Sequence, residues 1–185
     1  MFERRLVYLA LTVGLIAQAS ASAAVRYAKT GGAGSGECLT WATGCTLSYA
    51  LTQAAAGDEV WVKAGTYAPL TLKNGVKIIG GFAGTETAAS QSNPATNLTV
   101  IDGGGTARCV SGSDDGASTV LRGFTLRNGM DDSSNGGGGI LLSSSSALIV
   151  QCILENNTSG DFGGAVGVRG TGSPQFINCI FRNNG

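Results

Sequence analysis

An all-β fold of stacked parallel strands is predicted by three observations. One unit is written twice: Cys152-Ile153-Leu154-Glu155-Asn156-Asn157 returns as Cys179-Ile180-Phe181-Arg182-Asn183-Asn184, at an offset of 27. A looser copy, Gly123-Phe124-Thr125-Leu126-Arg127-Asn128, precedes the first at an offset of 29. A second motif, Gly137-Gly138-Gly139-Ile140, is echoed by Gly163-Gly164-Ala165-Val166 at an offset of 26. Third, short β-rich runs alternate with Gly, Asn and Ser clusters from Asp58 onward. A fixed period of this size marks an architecture in which each unit covers the apolar face of the next. The echo links strands of the same identity, so they lie parallel, one coil apart. A hairpin-built sandwich would instead show two-residue Asn-Gly or Asp-Gly turns and no echo. The expected fold is a parallel β-helix solenoid.

The elements follow in order. Residues 1–23 are read as a signal peptide: Arg4 and Arg5 precede an apolar run from Leu6 to Ala17, followed by Ala19-Ser20-Ala21 and Ala21-Ser22-Ala23 as small-residue cleavage sites. The run is too short to span a bilayer stably, so the chain is expected to be exported, with no transmembrane segment. Residues 24–57 are expected to cap the open end of the stack. Within them Leu47, Ala50, Leu51 and Ala54 fall at helical spacing, predicting a helix over Thr46 to Ala56 with Gly57 as its stop. Residues 58–185 then supply the coils. Expected strands include Val60-Trp61-Val62, Val76 to Ile79, Leu98 to Ile101, Thr119 to Leu121, Ala147 to Val150 and Phe176 to Phe181. The sequence stops inside a repeat at Gly185, so a further C-terminal part is expected.

Composition excludes several functions. The part from Ala24 onward is long enough for one domain with a real core. Setting aside Glu3, Arg4 and Arg5 leaves 10 basic and 11 acidic side chains of the 12 and 12 in the whole sequence. That balance gives no electrostatic reason to bind nucleic acid. Histidine is absent, which removes Ser-His-Asp and Cys-His catalysis and His-ligated zinc. Five cysteines in an exported chain invite pairing. Cys38 and Cys45 enclose a short loop and are the expected disulfide. Cys152 and Cys179 share one repeat position and would stack at about the 4.7–4.9 Å strand spacing. Both a second disulfide and a reduced thiol ladder fit that stack, and Cys109 either joins the column or stays free. The Asn-Asn pairs suit tight left-handed corners and hydrogen-bonded ladders.

The segment Gly57-Asp58-Glu59-Val60-Trp61-Val62-Lys63-Ala64-Gly65-Thr66-Tyr67 resembles the opening coil of secreted right-handed parallel β-helix proteins, polysaccharide lyases among them. Its continuation, Lys73-Asn74-Gly75-Val76-Lys77-Ile78-Ile79-Gly80-Gly81-Phe82-Ala83-Gly84-Thr85-Glu86-Thr87, resembles the bacterial choice-of-anchor surface proteins. Gly163-Gly164-Ala165-Val166 and Phe181-Arg182-Asn183-Asn184 are similar to repeats of polymorphic outer-membrane adhesins. This resemblance implies a right-handed β-helix on the bacterial surface or outside the cell. Its partners would be cell-surface or matrix glycans or proteins. It transfers no catalytic residue.

Site candidates are few. Asp114-Asp115 and Asp131-Asp132 are the paired carboxylates, in Ser/Gly-rich loops, and carboxylate oxygens suit calcium as a cofactor. The glycine-rich nonapeptide that binds calcium is missing. Arg122, Arg127, Lys63, Lys73 and Lys77 can face a uronate if the chain is a polysaccharide lyase or glycoside hydrolase, the alternative to an adhesin-like scaffold. Trp61 alternates with Val60 and Val62, so if those valines are core it points outward, where it either packs under the cap or, with Tyr67, is a candidate for stacking on sugar rings. Asp102, ahead of three glycines, reads as a turn former.

Overall fold

The structure, a computed structural model, describes residues 23–133 and 136–185. The expected signal peptide therefore lies, apart from Ala23, outside the described residues. Strand β1 (Val25–Ala33) and helix α1 (Leu47–Gln53) come first. Four passes follow, the first two of three strands each: β2 (Glu59–Lys63), β3 (Gly65–Tyr67) and β4 (Leu70–Thr71); β5 (Lys77–Phe82), β6 (Thr99–Asp102) and β7 (Val110–Ser113). Next come β8 (Val120–Arg122), β9 (Thr125–Arg127), β10 (Met130–Asp131) and β11 (Ile140–Ser143), then β12 (Leu148–Val150), β13 (Ile153–Glu155), β14 (Thr158–Ser159) and β15 (Val166–Arg169). β16 (Gln175–Ile177) and β17 (Ile180–Arg182) end the described chain.

Every pairing between these strands is parallel. The first sheet runs β1-β2-β5-β8-β12-β16, the second β3-β6-β9-β13-β17, the third β4-β7-β11-β15, and β10-β14 forms a small side sheet. Parallel neighbours need a crossover of a dozen or more residues. Here the crossover from one strand of a sheet to the next consists of a strand in each of the other two, which is what sets the period of the repeat.

Register turns the period into a core. Val60, Ile78, Leu121 and Ile149 stack in one column of the first sheet. Tyr67, Ile101, Leu126 and Leu154 do so in the second, and Leu70, Val110 and Ile140 in the third. Apart from Tyr67 and Leu70, all of these side chains are fully buried. Each full burial contributes about 1.5–3 kcal/mol relative to exposure. β15, β16 and β17 form one edge of the stack, where Val168, Ile180 and Phe181 are exposed.

Three corners recur in register, each with one residue in the left-handed region. Gly123, Gln151 and Asn178 follow the first sheet; Asn128, Asn156 and Asn183 follow the second; Asp114, Ser144 and Gly170 follow the third. The Asn choice at the second corner reflects its tolerance for positive φ, which other side chains adopt at a cost. The corner at Asn178 (φ 53°) also breaks Phe176–Phe181, expected as one strand, into β16 and β17. The paired glycines serve another need, close approach of backbone to backbone. A Cβ on Gly138 would lie 2.0 Å from the Thr158 carbonyl oxygen, which no small adjustment relieves. Gly138→Ala is expected to destabilise the protein by about 1–3 kcal/mol or more, measured by denaturant unfolding; an unchanged midpoint would contradict this packing.

At the N-terminal end the structure adds a strand that the sequence did not suggest. β1 extends the first sheet beyond β2, and α1 packs against it. α1 is capped by Thr46, whose hydroxyl accepts from the Tyr49 N–H, but it ends at Gln53, short of the expected Ala56. Asp58 explains the early stop. Its buried carboxylate takes the Ala55 N–H at 2.9 Å and the Ala24 N–H at 2.8 Å, so the chain leaves the helix after Gln53 to reach it. Burial pushes the Asp58 carboxyl up, but those two N–H groups, with Arg26 and Lys73, outweigh burial and hold it below its usual range.

Candidate functional site

Trp61 points away from the core, as alternation requires, yet it is only 4% exposed. A second, smaller core covers it on the outside of the first sheet: its ring stacks on Phe82 at 4.9 Å and meets Tyr27 edge-on at 5.6 Å. Trp41 packs against both Tyr27 and Phe82. The indole N–H of Trp61 is taken by Glu59 at 2.8 Å. Alternation reports the side of the sheet, not whether another layer lies on it; Trp61 packs under the N-terminal segment and is not an open platform for sugars. Tyr67 is likewise buried, in the inner column above Ile101, and its hydroxyl donates to the Lys63 carbonyl at 2.6 Å. Burial pushes its phenol up to about 12.

Lys63 is exposed, whereas Arg122, Arg127, Lys73 and Lys77 each have a partner. Arg127 pairs with Asp102 at 2.8 Å, directly across from it in the second sheet. One pass on, Glu155 faces Arg127, and Arg182 faces Glu155 and binds it at 2.7 Å. The outer face of this sheet thus carries a column of alternating charge, Asp102, Arg127, Glu155, Arg182. Opposite charges facing across strands support the register, whereas like charges would oppose it. Arg122 donates to Gln151, Lys77 pairs with Glu59, and Lys73 donates to the Leu51 and Thr52 carbonyls at the C-terminus of α1. Asp102 is a turn former, accepting from the Gly104 N–H as well as from Arg127 and Asn128. Although burial raises it, those bonds hold its carboxyl below the usual range.

The aspartate pairs divide among separate structural tasks. Asp114 occupies a left-handed corner and accepts from the Ser113 hydroxyl. Asp115 is buried and accepts from the Ser145 hydroxyl at 3.1 Å. Asp131 pairs with Arg108 at 2.9 Å, and Arg108 also donates to the Gly136 and Gly137 carbonyls, closing that loop on itself. Asp132 is exposed. Among the described residues no three Asp, Glu or Cys side chains gather in a way that could hold a metal ion.

Asp115 carries a pH signature. Burial pushes its carboxyl above the usual range, with the Asp114 charge adding to the effect and the Ser145 hydroxyl opposing it. A raised folded-state value means that its share of stability is whole below the unfolded carboxylate value, near pH 4, and is lost as pH rises through the folded value. Thermal midpoints of the wild type and Asp115→Asn, compared from about pH 4 to pH 8, should therefore diverge in favour of the variant as pH rises. A pH-independent difference would show that Asp115 stays ionised in the fold.

Cys38 and Cys45 are joined in a disulfide, their Cα atoms 5.3 Å apart. Cys109, Cys152 and Cys179 are free thiols. Cys152 bonds to the Leu121 and Val150 carbonyls and Cys179 to those of Ile149 and Ile177, the same pattern one pass later. Burial pushes Cys152 up to about 12 and Cys109 to about 11. Cys109 and Cys152 lie in the core, where burial disfavours the thiolate, and Cys179 is half-buried at the edge of the stack.

Sequence reasoning missed one concavity. A cleft of about 490 Å³ opens between α1 and the segment from Thr66 to Thr71. No local motif marks it, because it exists only where α1 covers the end of the stack incompletely.

The fold and these contacts define an all-β protein of parallel strands stacked in register. The chain belongs to the family described as "Protein of unknown function (DUF1565)", which matches residues 43–179. No curated protein and no solved structure matches the chain.

Proposed function

We propose that the chain is an exported, right-handed parallel β-helix solenoid that serves as a binding scaffold of the adhesin type on or outside the bacterial surface. The observation that carries this reading is the in-register stacking of outer-face side chains, such as the Asp102, Arg127, Glu155 and Arg182 column. Repeated features on a rigid stack suit several shallow contacts at once, which combine into avidity. The family's association with β-helix proteins supports the architecture. A disulfide at Cys38–Cys45 supports export, since such bonds persist in oxidising compartments. The charged side chains of the outer column are paired along the ladder, and this favours a scaffold over a lyase, which needs a free base and a neutralising cation at one sugar.

The test uses the protein without residues 1–23, applied to arrays of cell-surface and matrix glycans and proteins and to a panel of acidic polysaccharides with and without calcium. The expected result is saturable binding that survives Asp114→Asn with Asp115→Asn and is lost when whole passes are deleted. Formation of unsaturated uronate product that needs calcium or those aspartates would overturn the scaffold reading in favour of a lyase.

A further inference from the structure

Cys152 and Cys179 are free thiols at equivalent places of neighbouring passes. Ile153 pairs with Ile180 in register, and the residue before each is the cysteine. The Ile180 N–H donates to the Cys152 carbonyl at 2.9 Å, which fixes the two backbones side by side at that step. Each cysteine follows a left-handed corner residue, Gln151 in one pass and Asn178 in the next. Neighbouring parallel strands lie about 4.7–4.9 Å apart, and a disulfide accepts Cα separations of about 4.4–6.8 Å. Electrostatics report the same proximity, since a charge on Cys179 pushes the Cys152 thiol further up.

No third thiol joins this column. Thr125 faces Ile153, so the position before Cys152 in the stack is held by Phe124. Cys109 stands at the start of the third sheet, one step before Val110. The register there sets it beside Pro69 and Gly139, with no cysteine across from it.

Direct parallel pairing leaves two Cβ atoms about one strand spacing apart, slightly more than the roughly 3.5–4.5 Å that a disulfide spans. One pass must yield to close that gap, and the last one is free to do so. β16 pairs only with β12 and β17 only with β13 among the described strands, and most of their side chains are exposed. An element held along one side opens at low free-energy cost. The same opening supplies access, because Cys152 is 1% exposed while Cys179 is half-buried. Free thiols also persist poorly in the oxidising compartment that the Cys38–Cys45 bond suits.

We propose that Cys152 and Cys179 are an oxidation site, closed to a second disulfide by exchange with a soluble disulfide, which staples the last pass to the one before it. The Cys179 thiolate attacks one sulfur of the oxidant RSSR, forms a mixed disulfide and releases one RS⁻. The Cys152 thiolate then attacks the Cys179 sulfur and releases the second RS⁻. Both thiol protons end on the two RSH products, and two electrons pass from the protein to the oxidant. Only the source of the oxidant rests on the export reading.

The test treats the folded protein, isolated with Cys38–Cys45 joined and the other three thiols reduced, with oxidised glutathione. Titratable thiols should fall from three to one, and an unreduced digest should contain a peptide pair linked through Cys152 and Cys179. Hydrogen exchange of the β16 and β17 amides should then slow about tenfold or more. Cys179→Ser, given the same treatment, should show no slowing, and Cys152→Ser serves the same purpose if that variant misfolds. Three remaining thiols, a lasting glutathione adduct on Cys179 beside a free Cys152, or a link through Cys109 overturns the proposal. A Cys152–Cys179 link that leaves exchange in β16 and β17 unchanged overturns the staple. None of these readouts involves a binding partner, so their failure leaves the scaffold reading intact, and absence of surface binding leaves the disulfide intact.

Discussion

Replacing Cys38 and Cys45 together by serine is expected to destabilise the protein by about 2–3 kcal/mol, the loop-entropy value for so short a closed loop. For a chain of this length that is a fall of roughly 5–10 °C in the thermal midpoint. The second consequence is larger than the first. The loop between these cysteines lies along the outer edge of β1: Tyr27 donates to the Cys38 carbonyl at 2.7 Å, Ala33 to that of Gly44 and Thr46 to that of Ala33. Lys29 clamps the loop from the side through the Trp41 and Ala42 carbonyls. Trp41, carried on the same loop, seals the aromatic layer over Phe82. Freeing the loop therefore uncovers a strand edge and an aromatic patch at once, and an open edge templates pairing between chains. Calorimetry and size-exclusion chromatography of the double variant should show a lower midpoint and concentration-dependent oligomers. A monomer with an unchanged midpoint would mean that the loop holds its place without the covalent bond.

Most of the stack was legible in the sequence because its determinants are local and repeated. Ile153 and Ile180 pair because Cys152-Ile153-Leu154 and Cys179-Ile180-Phe181 occupy equivalent places, and the echo between them states the register directly. The asparagine corners could be read for the same reason. What escaped is non-repetitive. β1 contains two glycines and has no echo, and its role follows only from its pairing with Glu59 to Val62. Alternation left Trp61 between a sugar platform and packing under the cap, because the choice depends on Phe82 and Trp41, which lie far from it along the chain on either side. The early end of α1 depends on Asp58 reaching back to Ala55 and Ala24. As for the site, residue types suggested calcium and sugar contacts, but spacing along the chain could not say that Asp115 turns inward to Ser145 while Asp131 turns to Arg108.

Glu86 shows the same limit on a smaller scale. Its carboxylate folds back on its own loop and accepts from the Ala83, Gly84 and Thr85 N–H groups at 2.6, 2.9 and 2.9 Å. Burial raises this carboxyl, but the N–H groups outweigh it and hold it below the usual range. Its stabilising share is therefore present above the unfolded carboxylate value and is lost as pH falls through the folded one. The loop it ties also receives the Trp41 indole N–H at the Glu86 carbonyl, 2.9 Å away. Glu86→Gln should accordingly loosen the aromatic layer, raising the exposure of tryptophan to a soluble fluorescence quencher. Unchanged quenching would show that the loop is held by packing alone.

Asn157→Leu is expected to cost on the order of 3–5 kcal/mol, because three buried partners lose their bonds together. Asn157 is fully buried inside the second corner. Its side-chain N–H₂ donates to the Leu126 carbonyl of the preceding pass and to Asn184 of the following one, both at 3.0 Å. Its oxygen accepts from the Gly129 N–H at 2.8 Å and from the Cys109 thiol. Asn184 repeats the role by donating to the Leu154 carbonyl, so the two amides form a ladder that ties successive passes where the strands turn. Leucine has the same branching and side-chain heavy-atom count, though its methyls are bulkier, and it leaves the Gly129 N–H and the Leu126 carbonyl buried and unpaired. Asn157→Asp is a sharper probe than the leucine change, since it keeps the acceptor and loses only the donors. If the ladder matters for its hydrogen bonds, Asn157→Asp should recover part of the stability at acidic pH, where a protonated carboxyl can donate one bond, and lose it at neutral pH. Denaturant midpoints of the two variants at both pH values decide the point. Equal losses for leucine and aspartate at every pH would mean that shape, not hydrogen bonding, fixes the corner.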